Sequence, residues 1–159
     1  FLPDRYLGHW VASQTRKQLI LWEGACEVHE RFTGAQVRAL RSDRPLQVLA
    51  HPECPPDVLA EADYVGSTSG MIAHLQAHRP ARVALITECS MSDNVAMELP
   101  DIEFVRPCNL CPHMKRIDLE GIRNALRDGH HAVEVPADIA RRARLSVQRM
   151  LDLGRQPGH

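Results

Sequence analysis

Short apolar runs alternate with stretches of helical character along most of this chain, and that alternation limits the fold more than any single residue does. Leu46-Gln47-Val48-Leu49-Ala50, Tyr64-Val65, Val83-Ala84-Leu85-Ile86 and Ile102-Glu103-Phe104-Val105 read as strands, and Lys17 to Trp22 reads as another. Asp4 can cap a helix reaching about Thr15, with Leu7, Trp10 and Val11 at helical spacing. Thr33 caps the next, whose stripe of Val37 and Leu40 ends near Arg41-Ser42-Asp43-Arg44-Pro45. Pro55-Pro56 opens a helix through Val58, Leu59 and Ala62, and Gly70 to His78 and Ser90 to Leu99 read as two more. A strand–helix unit recurring at roughly 20 to 35 residues predicts parallel sheets in an α/β fold. Beyond the last strand, Leu119 to Arg127 reads as a helix stopped by Gly129. Ala137 to Leu153 reads as a long one with Ile139, Leu145, Val147 and Met150 near one face and many Arg on the other, before a frayed tail from Gly154 to His159.

Composition removes several classes of function. With 159 residues, 44% hydrophobic residues and a net charge of −1, the chain can form one compact domain or parts of two, and it has no electrostatic case for nucleic acid or an acidic membrane. No apolar stretch approaches the ~20 residues of a membrane span, and no basic-then-apolar signal peptide opens the chain. Five cysteines, an odd number without secretory context, point to a reducing, cytoplasmic compartment and to metal or redox use rather than disulfides.

The cysteines fall where strands run out into loops, which is where open α/β sheets place their ligands. Cys108-Asn109-Leu110-Cys111-Pro112-His113-Met114-Lys115 sets two thiols three apart, and Pro112 leaves the Cys111 thiol in a loop from which it can point at a ligand. The spacing alone permits a zinc half-site, a redox dithiol, an iron–sulfur ligand run or two buried small residues. Cys26 follows Leu19-Ile20-Leu21-Trp22 and stands three residues before His29; Cys54 closes His51-Pro52-Glu53-Cys54; Cys89 follows Thr87-Glu88. Gly66-Ser67-Thr68-Ser69 precedes a helical stretch, so its hydroxyls and N–H groups can bind a phosphate or carboxylate, although an ordinary Ser/Thr cap reads the same way.

Taken together, Trp22 to Phe32, His51-Pro52-Glu53-Cys54, Gly66-Ser67-Thr68-Ser69, Thr87-Glu88 and Cys108 to Met114 resemble the quinolinate synthase family in order and spacing over nearly the whole chain. The resemblance implies condensation of iminoaspartate with dihydroxyacetone phosphate to quinolinate in NAD biosynthesis, with loss of phosphate and water. It implies a 4Fe-4S cluster on cysteine thiolates, of which Cys26 and Cys111 match two and the third lies outside this chain, with one iron left as a Lewis acid. It further implies Glu53 as general acid/base with His51 as a substrate contact and catalytic partner, His29 as a carboxylate-binding or proton-relay group, and Ser67 and Thr68 as substrate anchors. Cys108 is read as a non-ligand, redox-sensitive if paired with Cys111, and Cys54 and Cys89 as structural. Glu88 matches a family Thr-Glu, but Cys89-Ser90-Met91-Ser92 departs from the family's Gly-rich continuation and leaves its role open. L-aspartate oxidase is the implied source of the unstable substrate.

The same resemblance implies three-layer α/β/α units with short parallel sheets in a pseudo-threefold, three-domain architecture. On that expectation residues 1–45 complete the second α/β domain, 46–115 form the third, 116–159 are a C-terminal helical segment, and the first domain is absent. The start at Phe1-Leu2-Pro3-Asp4 reads as the end of a buried strand in a longer chain, so the 159 residues alone are expected to be inactive. Two readings from other classes stand beside this one. One is a non-catalytic zinc-binding α/β module using Cys108, Cys111 and His113, and the other is a metal-free interaction domain with buried cysteines.

Overall fold

The computed structural model describes residues 4–41 and 44–155, arranged as two compact units, Phe1–Arg116 and Ile117–His159. The strand end expected at Phe1-Leu2 and the tail beyond Arg155 lie outside the described residues.

The first unit is built on four parallel strands, β1 (Gln47–Ala50), β2 (Tyr64–Val65), β3 (Arg82–Ile86) and β4 (Glu103–Val105), in the order β2-β1-β3-β4. The register runs Leu49 to Tyr64 on one side of β1 and Leu49 to Leu85 on the other, and Ala84 to Val105 beyond that. Five helices accompany the sheet: α1 (Arg5–Ser13), α2 (Gly34–Ala39), α3 (Pro56–Leu59), α4 (Thr68–His78) and α5 (Cys89–Glu98). Side chains of a strand alternate between faces, and here the alternation feeds two cores. Val48, Ala50, Ala84 and Ile86 pack with Phe32, Val37 and Val58 of the α2–α3 side. Leu49, Val83 and Leu85 pack with Met71, Leu75 and Val95 of α4 and α5. Because both faces are covered, β1 and β3 carry uninterrupted apolar runs.

Helix starts follow their local signals. Thr33 and Gln36 form a reciprocal capping box on α2, Ser67 caps α4 through the Gly70 N–H, and Pro56 opens α3. The α/β fold with a parallel, helix-flanked sheet is as expected. The strand expected at Lys17 to Trp22 does not form: the sheet ends at β2 and β4, neither of which that segment joins, and Ile20 and Trp22 lie exposed. An apolar run becomes a strand only where another strand can take up its backbone groups.

The second unit holds α6 (Leu119–Asp128), capped by Asp118 and ended by Gly129 in the left-handed conformation at φ 64°, and α7 (Ala137–Gly154). No helix among the described residues is long and apolar enough to cross a membrane.

Candidate metal and substrate site

The strand order reverses direction between β1 and β3, and in open α/β sheets the crevice beyond the strand ends at such a point is where ligands bind. The loops leaving these two strands carry His51-Pro52-Glu53 and Thr87-Glu88, and the His51 N–H to Ile86 carbonyl bond of 3.1 Å holds them side by side. A cavity of about 470 Å³ opens there, and its wall includes Cys26, His29, His51, Glu53, Thr68 and Cys111. Ser67, expected as a substrate anchor, is not on that wall, and neither are Cys54, Cys89, Cys108 and His113; the exposed Ser67 hydroxyl is bonded to the Gly70 N–H at 3.1 Å and to Ser69 at 3.2 Å.

His29 is buried, with Nε2 3.0 Å from the Thr87 hydroxyl and Nδ1 3.1 Å from Glu53 Oε2. The latter approach is close but poorly aligned, so it acts as a charge contact more than a directed hydrogen bond. The His29 and His51 rings stack with centroids 4.6 Å apart. His51 Nδ1 accepts the Glu53 N–H at 3.4 Å, which places any ring proton of a neutral His51 on Nε2. Burial, followed by the neighbouring His29, pushes the His51 pKa down despite Glu53 nearby. Contact with His29 holds the Glu53 carboxyl below its usual range, against the opposing effect of partial burial. The pair therefore presents an ionised carboxylate beside a neutral imidazole at neutral pH.

The Cys26 loop is tethered by Asp4, whose carboxylate also caps α1, and Glu30 donates its N–H to the Cys26 carbonyl at 3.0 Å. Cys111 lies in a loop beside α5. Glu88, almost fully buried, accepts the Ser90 N–H at 2.8 Å and the Cys111 N–H at 3.4 Å, and it forms a parallel bridge with Asn109. The two thiol-bearing loops also touch each other, through Asn109 Nδ2 to the Val28 carbonyl at 3.3 Å and His113 to Glu27 at 3.0 Å. Lys115 reaches the Ser90 hydroxyl at 2.6 Å. Glu88 is thus the residue whose role the sequence left open and whose placement proves central, because it joins two loops 23 residues apart.

Cysteine chemistry divides cleanly. Cys26, Cys54 and Cys111 are free thiols, while Cys89 and Cys108 form a disulfide with Cα atoms 4.9 Å apart. This corrects the expectation of metal or redox use rather than disulfides, since the ends of adjacent strands bring Cys89 beside Cys108, and it leaves Cys108 no thiol to pair with Cys111. It also removes Cys108 from the zinc set of Cys108, Cys111 and His113. Cys54 is fully buried against the Ile86 carbonyl, and burial pushes its thiol up to about 12, as befits a residue of the core. Cys26, His29 and Glu53 place their donor atoms within 4.8 Å of one another. Two half-exposed thiols on one wall, with Val28, Met91 and Met114 as apolar neighbours, fit a soft thiolate-bound metal better than a hard oxygen-bound cation.

The fold and the site together define an α/β protein with a thiol-lined candidate metal centre at the switch point of its sheet. The family model described as "Quinolinate synthetase A protein" matches residues 1–152. Quinolinate synthase 1 of Mesorhizobium japonicum is 60% identical over 151 residues, covering 94% of this chain and 47% of that protein. Quinolinate synthase of Agrobacterium fabrum is 57% identical over 153 residues, covering 96% and 44%, and that of Caulobacter vibrioides is 50% identical over 153 residues, covering 96% and 42%. This chain belongs to the quinolinate synthetase A family. It spans a little under half the length of these curated relatives.

Proposed function

We propose that this chain forms the C-terminal part of a quinolinate synthase that condenses iminoaspartate with dihydroxyacetone phosphate to quinolinate for NAD biosynthesis. The observation that carries the reading is the convergence of Cys26, Cys111, His29, His51 and Glu53 on one cavity in a chain of this family. In this reading residues 1–45 complete a second α/β domain, 46–115 are a third, 116–159 are a C-terminal helical segment, and an absent first domain closes a pseudo-threefold assembly of three-layer α/β/α units. The setting is cytoplasmic, and L-aspartate oxidase supplies the unstable imine.

Cys26 and Cys111 hold a 4Fe-4S cluster, with a third cysteine from outside this chain; when bound, the group supplies a Lewis-acid iron that eases loss of water. Every other role falls to the chain's own groups. Glu53, kept ionised by His29, takes a proton from substrate carbon during tautomerisation and returns it to a departing hydroxyl. His51, kept neutral by burial, donates from Nε2 to a substrate oxygen. His29, fixed between Thr87 and Glu53 by its two ring nitrogens, orients that carboxylate and serves as its proton-relay partner. Thr68, in the first turn of α4 on the cavity wall, anchors phosphate or carboxylate with the helix dipole, and Ser67 beside it keeps that turn capped.

Anaerobic iron and sulfide analysis tests this, on this chain and on one extended to its relatives' full length. The extended chain is expected to hold about four irons and to lose them in Cys26→Ser or Cys111→Ser but not in Cys54→Ser. Zinc, or no metal in either chain, overturns the cluster assignment. Turnover of both substrates by the 159 residues alone overturns the assignment of these residues as one part of a larger site.

A further inference from the structure

Two buried carboxylates of this chain make the same unusual pair of connections. Asp4, 1% exposed, caps α1 with Oδ1, which accepts the Tyr6 and Leu7 N–H groups at 2.7 and 2.9 Å, while Oδ2 accepts the Cys26 N–H at 2.7 Å. Glu88, 8% exposed, caps α5 with Oε2 on the Ser90 N–H at 2.8 Å, while Oε1 accepts the Cys111 N–H at 3.4 Å and the Ser90 hydroxyl at 3.3 Å. In both cases the carboxylate stands just before the helix it caps and the cysteine lies in a loop further on, with β4 intervening in the second. The two reaches across sequence are 22 and 23 residues.

We infer that Asp4 and Glu88 are positioning residues for the two thiols, each tying the backbone N–H of one cysteine, Cys26 or Cys111, to the first turn of a helix. An N-cap alone asks for a single acceptor, which Ser, Thr or Asn supplies without burying a charge. A carboxylate brings a second oxygen, and both times that oxygen goes to the cysteine. A loop whose Cα is fixed in this way leaves its thiol only a rotamer to choose. Ligands that must meet one metal group from separate loops need this kind of outer support. The importance of holding these thiols rests on the function proposed above; the tethers themselves do not.

Amide hydrogen exchange on the metal-free 159-residue chain separates the two. Asp4→Ser keeps an oxygen for the cap and removes the one that reaches Cys26; Glu88→Gln keeps one acceptor and turns an NH2 toward the other donor. The expected result is crossed: exchange at Cys26 about tenfold faster in Asp4→Ser only, and at Cys111 about tenfold faster in Glu88→Gln only. Amides of β1 and β3 remain as protected as in the parent chain. If either variant also loosens the sheet, Asp4→Asn, which gives up one acceptor, and Glu88→Asp, which keeps the cap but shortens the reach to Cys111, are read in its place. Equal acceleration at both cysteines with the sheet intact, or none at either, overturns the inference. Because no iron is present, that outcome is distinct from a failure of the cluster assignment.

Discussion

The Cys54 thiol faces the Ile86 carbonyl at 3.5 Å inside the α2–α3 core, so its proton stays on far above neutral pH. Cys26 and Cys111 are free and half-exposed, within reach of a reagent from solvent. With an alkylating agent at pH 8, Cys26 and Cys111 are expected to be modified and Cys54 spared until denaturant is added, while Cys89 and Cys108 become reactive only after reduction. Peptide mass mapping checks all five at once, and rapid modification of Cys54 in the folded chain would contradict its assignment to the core. At this scale the sequence was most legible where residue types cluster in a line, as in His51-Pro52-Glu53. It was least legible where a role depends on a partner far along the chain. Nothing adjacent to Glu88 announces Cys111, and nothing near Cys108 announces Cys89, 19 residues away.

Elements that carry their own start and stop signals matched expectation closely, as with the capping box of α2 and the left-handed Gly129 after α6. Lys17 to Trp22 lacked such help, because its apolar pattern had to be completed by a sheet edge that goes elsewhere. Where α2 meets α3 nothing in the local pattern announces how tight the approach is. A Cβ on Gly34 would stand 2.5 Å from the Asp57 carbonyl oxygen, and the Gly34 N–H already donates to the Asp57 carboxylate at 2.7 Å. A backbone atom cannot turn aside as a side-chain end can. Gly34→Ala is therefore expected to cost about 1–3 kcal/mol, read as a lower urea midpoint at unchanged slope. A midpoint equal to that of the parent chain would show that the two helices can part without loss.

On the scale of the whole molecule, both cores and, among the described residues, every strand lie within Phe1–Arg116. A chain stopped after Arg116 is expected to keep the exchange protection of Val48, Leu49 and Leu85, and collapse of that protection would show that the sheet depends on residues 117–159. The parallel architecture was readable because strands buried on both faces must be apolar throughout, and the strand-end placement of the cysteines followed from it. In the function proposed above the third ligand comes from outside these residues, so no reading of them could supply that part. The Cys89–Cys108 bond has one more consequence, for the fate of the site in oxidising conditions. A sulfenic acid formed at Cys111 normally finds rescue in a resolving thiol close by, and its neighbour in the CxxC is already bonded elsewhere. The other free thiol on the cavity wall is Cys26. Oxidative injury at Cys111 that Cys26 does not intercept runs on to a sulfinic acid, which ordinary thiol reductants do not reverse.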